Sequence, residues 1–355
     1  MLQRTAGVLA GSGMLPTPVR AVFGYYGRSG VFDYGSIRLK QRVDNEVEAM
    51  VEAAFREVEA AIAEAFGYSY VAFDYDTKLV LPAKLTLGYL YRDLPPAEHH
   101  RAESMTRLAV EALLDGDMRD ARNDNEFEDF TVDFEADEGD QRRIAGIAQQ
   151  ALEERVEEQF TQFPDPVRER YDWAVGVSER HQEQDPQFRA LMDRATAGDG
   201  EALEEIRSTY KYASFEAPPE LFAEAERELP YFKTQYDRVG VIYDAMIDMF
   251  READLAVDPT FQRSIVLAII GAQVWLDDVD DYEADMAAGQ LTPVTAEYLL
   301  QESGSRARES VIEISESYLD RAREQATAAQ SPLTGIATEY IYRDGSPDIL
   351  PASGD

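Results

Sequence analysis

Cysteine is absent from the 355 residues. That excludes disulfides, cysteine-ligated zinc, iron–sulfur clusters and thiol nucleophiles. Histidine is confined to His99, His100 and His181. A neighbouring pair plus one remote residue is a poor start for a histidine metal site, and surface placement is expected. Lysine occurs five times (Lys40, Lys78, Lys84, Lys211, Lys233), so arginine carries most of the positive charge. Long apolar runs are also missing. The longest, Ile265 to Leu276, covers about 12 residues, where a membrane-spanning helix needs about 20. The opening MLQRTAGVLAGSGMLP has one arginine and a glycine-broken apolar stretch, which is not a secretory signal pattern. A soluble, cytoplasmic protein is expected.

What the chain has in excess is acid. Sixty-nine Asp and Glu against 34 Lys and Arg give a net charge of -35 and a pI near 4.3. Such a charge disfavours nucleic acid and anionic membrane surfaces as partners. An acid-rich, lysine-poor composition along a folded chain points to a concentrated-salt, halophilic cytoplasm, where screening relieves self-repulsion. An acidic disordered chain is the poorer reading, because 45% of residues are hydrophobic and 19 Tyr, 16 Phe and 9 Met supply a core.

Periodicity then sets the fold class. Val47, Met50, Val51, Ala54, Val58, Ile62 and Phe66 recur at helical spacing over 43–66, with Asp44 as the expected N-cap. Further helices are expected over 79–92, stopped by Pro95 and Pro96, and over 97–115, with Met105, Leu108, Ala109, Ala112 and Leu113 as the apolar stripe. Others are expected over 141–161, around Trp173, in short pieces over 186–228, from Pro230 to about Ala253, over 258–282, and as two helices over 293–328. No alternating strand pattern stands out. The expectation is an all-α protein: an arm over 1–42, one large helical bundle over 43–328, and a polar tail over 329–355 that lies on the surface or frays.

The richest stretch is IVLAIIGAQVWLDDVDDYEADMAAGQLTP, residues 265–293. On a continuous α-helix, Asp277, Asp278, Asp281 and Asp285 fall within about a 100° arc. A buried helix then ends in carboxylates on one side, and Mg²⁺ is the natural counter-ion because it takes hard oxygen ligands and bridges carboxylates to phosphates. At this acid content a D-D-x-x-D frame also arises about twice by chance, so a solvated acidic face is the plain alternative. Upstream, Asp117, Asp120 and Asp124 share a face if DGDMRDARNDNEFEDF is helical, while an acidic loop over 123–140 is the alternative.

Three stretches fall in order: Lys78-Leu-Val-Leu-Pro82; Leu113-Leu-Asp-Gly-Asp117-Met-Arg-Asp120; and Lys233-Thr234 followed by Gln273-Val-Trp-Leu-Asp277-Asp278-Val-Asp-Asp281-Tyr-Glu-Ala-Asp285, then Gly289 and Thr292-Pro293. Over about residues 43–325 this resembles the trans-isoprenyl diphosphate synthases and, more broadly, the class I terpenoid synthase superfamily. The resemblance implies a helical bundle of the isoprenoid synthase type, a homodimer, and two facing aspartate-rich motifs that hold Mg²⁺ on an allylic prenyl diphosphate. By resemblance, Asp277, Asp278, Asp281 and Asp285 form the second metal motif and Asp117 and Asp120 the remnant of the first. Lys233 holds the diphosphate, and Thr234, Gln273 and Lys78 contribute to substrate binding. The C-terminal ends of helices 97–120 and 258–282 are then expected to face each other. The chain departs from the family pattern at Gly116, which stands where an aspartate is usual, and at Leu79 and Leu81, which stand where isopentenyl-diphosphate arginines are usual. Leucine cannot replace a bidentate phosphate contact. The implied function is therefore Mg-dependent ionisation of one allylic diphosphate, as a divergent prenyltransferase or terpene-synthase-like enzyme. The alternative is a catalytically weak member acting as a partner subunit or prenyl-lipid-binding protein.

Overall fold

The apolar stripes read from the sequence become buried helix faces. In the computed structural model, which describes residues 16–29, 34–124, 127 and 130–352, Val47, Met50, Ala54, Val58 and Ile62 are all buried on one helix. So are Met105, Leu108, Ala109, Ala112 and Leu113 on another. Of the expected arm over 1–42, residues 1–15 and 30–33 lie outside the described residues. Helices account for nearly all regular structure among the described residues, and none of them is long and apolar enough to cross a membrane. The all-α class is thereby established.

The described chain divides into two compact units, and residues 43–328, read as one bundle, are shared between them. One unit comprises 34–170 and 246–256; the other comprises the segment up to 33, 171–245 and 257–355.

The first unit packs helices Tyr34–Phe66, Leu81–Asp93, His99–Asp124 and Glu138–Phe160 against one another. The leading helix starts well before the expected residue 43. Val43 is buried, and Lys40–Asp44 and Gln41–Asn45 pair one turn apart at 2.5 Å and 2.8 Å, carrying the helix through the expected cap. The acidic segment after residue 124 holds something the sequence reading lacked. Phe73–Tyr75 and Phe130–Val132 form a short antiparallel pair, with Phe73 opposite Val132 and Tyr75 opposite Phe130. Phe73 stacks on Phe130 at 5.8 Å and meets Phe55 edge-on at 5.5 Å. Aromatic cross-strand packing, rather than alternation over a long strand, stabilises this ladder.

The second unit is built around helix Pro259–Ala272. Its N-cap is Asp258, whose carboxylate accepts the Thr260 N–H at 2.6 Å. Ile265 and Val274 are each 1% exposed, so the run before Asp277 is enclosed as its composition requires. Its main neighbour is helix Gly304–Ala328, and Gly271 lets the two approach: a Cβ there would meet Leu319 at 2.9 Å. Among the described residues, the expected tail is largely helical. Residues Pro332–Asp344 form a helix that buries Thr334, Thr338, Glu339 and Ile341 and packs on helix Thr17–Ser29. Glu339 is completely buried and paired with Arg28, Arg323 and Arg343. These ion pairs, spread over three helices, are what a one-dimensional pattern cannot show.

Two long helices expected from the sequence are interrupted. Phe232–Gln235 passes into a π-helical turn, Tyr236–Gly240, before resuming as Val241–Glu252. Pro259–Ala272 passes into a second π turn, Gln273–Asp277, then a single turn Asp278–Asp280 and the helix Tyr282–Ala288. A third π turn spans Ile206–Lys211. Each inserts an extra residue and so rotates the downstream segment by roughly 100°, one residue's worth of helix.

Candidate functional site

All three π turns lie in the second unit, and two of them carry acids and cations of the aspartate-rich and Lys233 stretches. The turn at 273–277 rotates the segment that follows it, and the arc expected for Asp277, Asp278, Asp281 and Asp285 is divided between solvent and interior. Asp277 and Asp281 are exposed, Asp285 is half-buried, and Asp278 is buried at 2% exposure. Asp281 remains one turn above Asp277, its N–H bonded to the Asp277 carbonyl at 2.9 Å.

Asp278 faces inward onto Arg238 from the neighbouring π turn, with a guanidinium nitrogen 3.3 Å from its Oδ1. Gln273 Nε2 donates to the same oxygen at 3.5 Å, and Oδ2 is buried without a hydrogen-bond partner. Burial pushes the Asp278 carboxyl up to about 6, against the pull of Arg238 and with a further push from Asp285. Asp285 is likewise raised to about 6, chiefly by burial, opposed by Arg238 and reinforced by Asp281. Arg238 therefore pairs with Asp278 and also pulls on Asp285, two acids that burial pushes toward the neutral form. It was not among the residues picked from the sequence. A weak signal is available in the sequence, an arginine on a mostly buried helical stretch that needs a counter-charge.

Lys233 is on the short helix just before Arg238. Its ammonium is 2.5 Å from Asp237 and lies 5.8 Å from the Phe215 ring centroid. Thr234 is buried, and its hydroxyl donates to the Tyr210 and Tyr231 carbonyls at 3.3 Å and 3.1 Å. Gln235, next in sequence, is fully buried, and neither its Nε2 nor its Oε1 has a partner. Around this segment gather aromatic rings. Phe222 and Phe232 meet edge-on at 5.0 Å, Phe232 stacks on Tyr236 at 5.9 Å, and Phe215 meets both at 6.0 Å and 5.8 Å.

The expectation of surface histidines holds for His100 alone. His181 is 7% exposed, packed on Phe188, and held down to about 4 by burial and by the charges of Arg238 and Lys233, so it is neutral at pH 7. His99, 8% exposed in the other unit, receives an Arg42 N–H on Nδ1 at 3.2 Å and is 3.2 Å through Nε2 from the Leu94 carbonyl. Ring packing on Tyr91 explains its burial.

The remaining candidates lie in the first unit. Asp117 is half-buried and accepts a short hydrogen bond from the Tyr75 hydroxyl; Asp120, three residues on, is exposed. The buried acid of this stretch is instead Asp115, which the sequence reading did not select. Arg119 pairs with it at 2.5 Å and Gln149 donates to it at 3.2 Å. Lys78 is 92% exposed and 3.0 Å from Asp76.

Among the described residues, no group of three or more His, Asp or Glu is arranged to hold a metal ion. An all-protein cage for magnesium is thus not what these residues form. Asp277 and Asp281 are exposed one helical turn apart; the other common mode of magnesium binding needs only one or two carboxylates, with substrate phosphates supplying the rest. Comparison of the chain with family models, with curated proteins and with solved structures finds no match in any of the three.

Proposed function

We propose that this chain binds an allylic prenyl diphosphate at the Lys233–Arg238 and Asp277–Asp285 segments and ionises it with the help of magnesium. The observation that carries this reading is the convergence of Arg238 on Asp278 at 3.3 Å. It puts a fixed cation beside the aspartate-rich end of the buried helix. In the reaction the allylic C–O bond breaks, diphosphate departs with the electron pair, and an allylic cation remains. Negative charge grows on the departing oxygens, and positive charge held in place by the fold stabilises it without reorganisation. Magnesium, when bound, would neutralise part of the same charge. Asp277 and Asp281 are its candidate ligands, with Asp285, on the same segment, as a further carboxylate. The rings of Phe215, Phe222, Phe232 and Tyr236 suit the hydrocarbon part and a developing cation, since aromatic faces attract positive charge.

One observation favours the second reading, a prenyl-diphosphate-binding protein or partner subunit with little activity. Lys233 and Asp278 are already matched inside the chain, by Asp237 and Arg238. Pyrophosphate release from geranyl, farnesyl and geranylgeranyl diphosphates, with and without Mg²⁺ in molar KCl, separates the two. Release lost in Asp277→Ala supports the enzyme. Mg²⁺-dependent binding without release supports the binding protein. Neither binding nor release would refute both.

A further inference from the structure

Tyr231, which directly precedes the Lys233 helix, has φ 64° and ψ 8°. This left-handed conformation is a genuine outlier for a bulky residue and costs of order 1–3 kcal/mol unless the surroundings impose it. The surroundings here are specific. The Tyr231 hydroxyl donates to Glu297 Oε1 at 2.5 Å, and its own N–H donates to the Lys211 carbonyl at 2.6 Å. The Lys211 ammonium closes the triangle, 2.7 Å from the same Glu297 oxygen, while Gln301 donates to Oε2 at 2.8 Å. Glu297 is completely buried, yet Lys211, Tyr231 and Gln301 outweigh the desolvation and hold its carboxyl below the usual range. It is therefore an anion at neutral pH, and Tyr231, raised by burial and by Glu297, is a donor.

Three segments remote in sequence meet at this one carboxylate: the π turn Ile206–Lys211, the turn into helix Phe232–Gln235, and helix Pro293–Leu300. The helix that Tyr231 opens is only four residues long and runs directly into the π turn bearing Arg238. A short helix has little directional stability of its own. From this we infer that Tyr231, locked by Glu297 and Lys211, is a positioning residue that sets the conformation of residues 232–240 and hence the placement of Lys233 and Arg238. The strained backbone holds the segment in one entry angle, and the buried anion holds the strain. The consequence for ligand binding rests on the proposed diphosphate site; the conformational role does not.

Hydrogen–deuterium exchange on the whole ligand-free chain in molar KCl tests this role. Tyr231→Phe and Glu297→Gln are expected to speed exchange over 232–240 at least tenfold, with helix Gly304–Ala328 unchanged. Lys211→Arg, which keeps the ion pair, is expected to stay near wild type. Tyr231→Phe guards against variants that fail to fold, because it keeps the buried ring and leaves Glu297 paired with Lys211 and Gln301. It is expected to keep the melting temperature within a few degrees while exchanging faster over 232–240. Unchanged exchange over 232–240 in these variants, or an equal rise throughout 304–328, overturns the inference. In parallel, titration with farnesyl diphosphate and Mg²⁺ is expected to show a tenfold weaker affinity in Tyr231→Phe. Failure of the wild type to bind sinks the diphosphate reading alone, since the exchange result still decides the positioning role.

Discussion

Replacing Arg238 by leucine would leave Asp278 buried with no counter-charge. Even beside Arg238, its carboxyl sits near 6 against an ordinary 3.8. At about 1.4 kcal/mol per pKa unit, this corresponds to roughly 3 kcal/mol of resistance to ionisation. A carboxyl whose folded pKa lies above its unfolded value holds its proton more tightly when folded. Its ionisation therefore opposes folding. The penalty is absent below about pH 4 and complete above about pH 6. Removing Arg238 raises the folded pKa further, so the variant suffers little at pH 4.5 and most at pH 8. Breaking a buried pair typically costs about 3–5 kcal/mol, which lowers the melting temperature by roughly 10 °C for a unit of this size. Thermal unfolding of Arg238→Leu in molar KCl at pH 4.5 and pH 8 measures both numbers. The double variant Arg238→Leu/Asp278→Asn should regain most of the loss at pH 8. A loss under about 1 kcal/mol at pH 8, or an equal loss at both pH values, would refute the argument that Asp278 is an ion held by Arg238.

Other outcomes rest on the same geometry. Asp277→Ala and Lys233→Ala are expected to abolish Mg²⁺-dependent binding of an allylic diphosphate, read by calorimetry in high salt. Lys78→Ala is expected to change that binding by less than about 0.5 kcal/mol, since this side chain is 92% exposed, and isopentenyl diphosphate should bind weakly or not at all in the same cell. In Gly345→Ala the new Cβ would collide with Trp275 Nε1, which donates to the Tyr342 carbonyl at 3.1 Å. Overpacking of this kind costs about 1–3 kcal/mol; a melting scan should show it, and the fluorescence of the buried Trp275 should shift to the red. The resemblance also implies a homodimer, to be checked by light scattering in high salt, where a monomer at micromolar concentration counts against it.

The sequence by itself determined the helical class. Val47 to Ile62 and Met105 to Leu113 are buried because 3.6-residue spacing puts them on one face whatever they pack against. It also determined the enclosed run from Ile265 to Val274, since this depends on local composition. Tertiary structure alone decided which acids of the aspartate-rich stretch face inward. Asp277, Asp278 and Asp281 remain on one turn, but the extra residue of the π turn at 273–277 sets which edge of their arc faces inward, so that Asp278 meets Arg238 while Asp277 and Asp281 are exposed. No period in the sequence encodes that extra residue, because it is set by how the helix seats on its neighbours. The same holds for His181, Asp115 and Glu297, polar residues whose burial depends on partners remote in the chain. It holds too for the 332–344 helix, whose polar composition suggested a frayed tail. Glu339 there is buried because Arg28 and Arg323 reach it from helices Thr17–Ser29 and Gly304–Ala328. A buried charge is stable only where its counter-charge arrives, and that arrival is a property of the folded chain rather than of any one stretch of it.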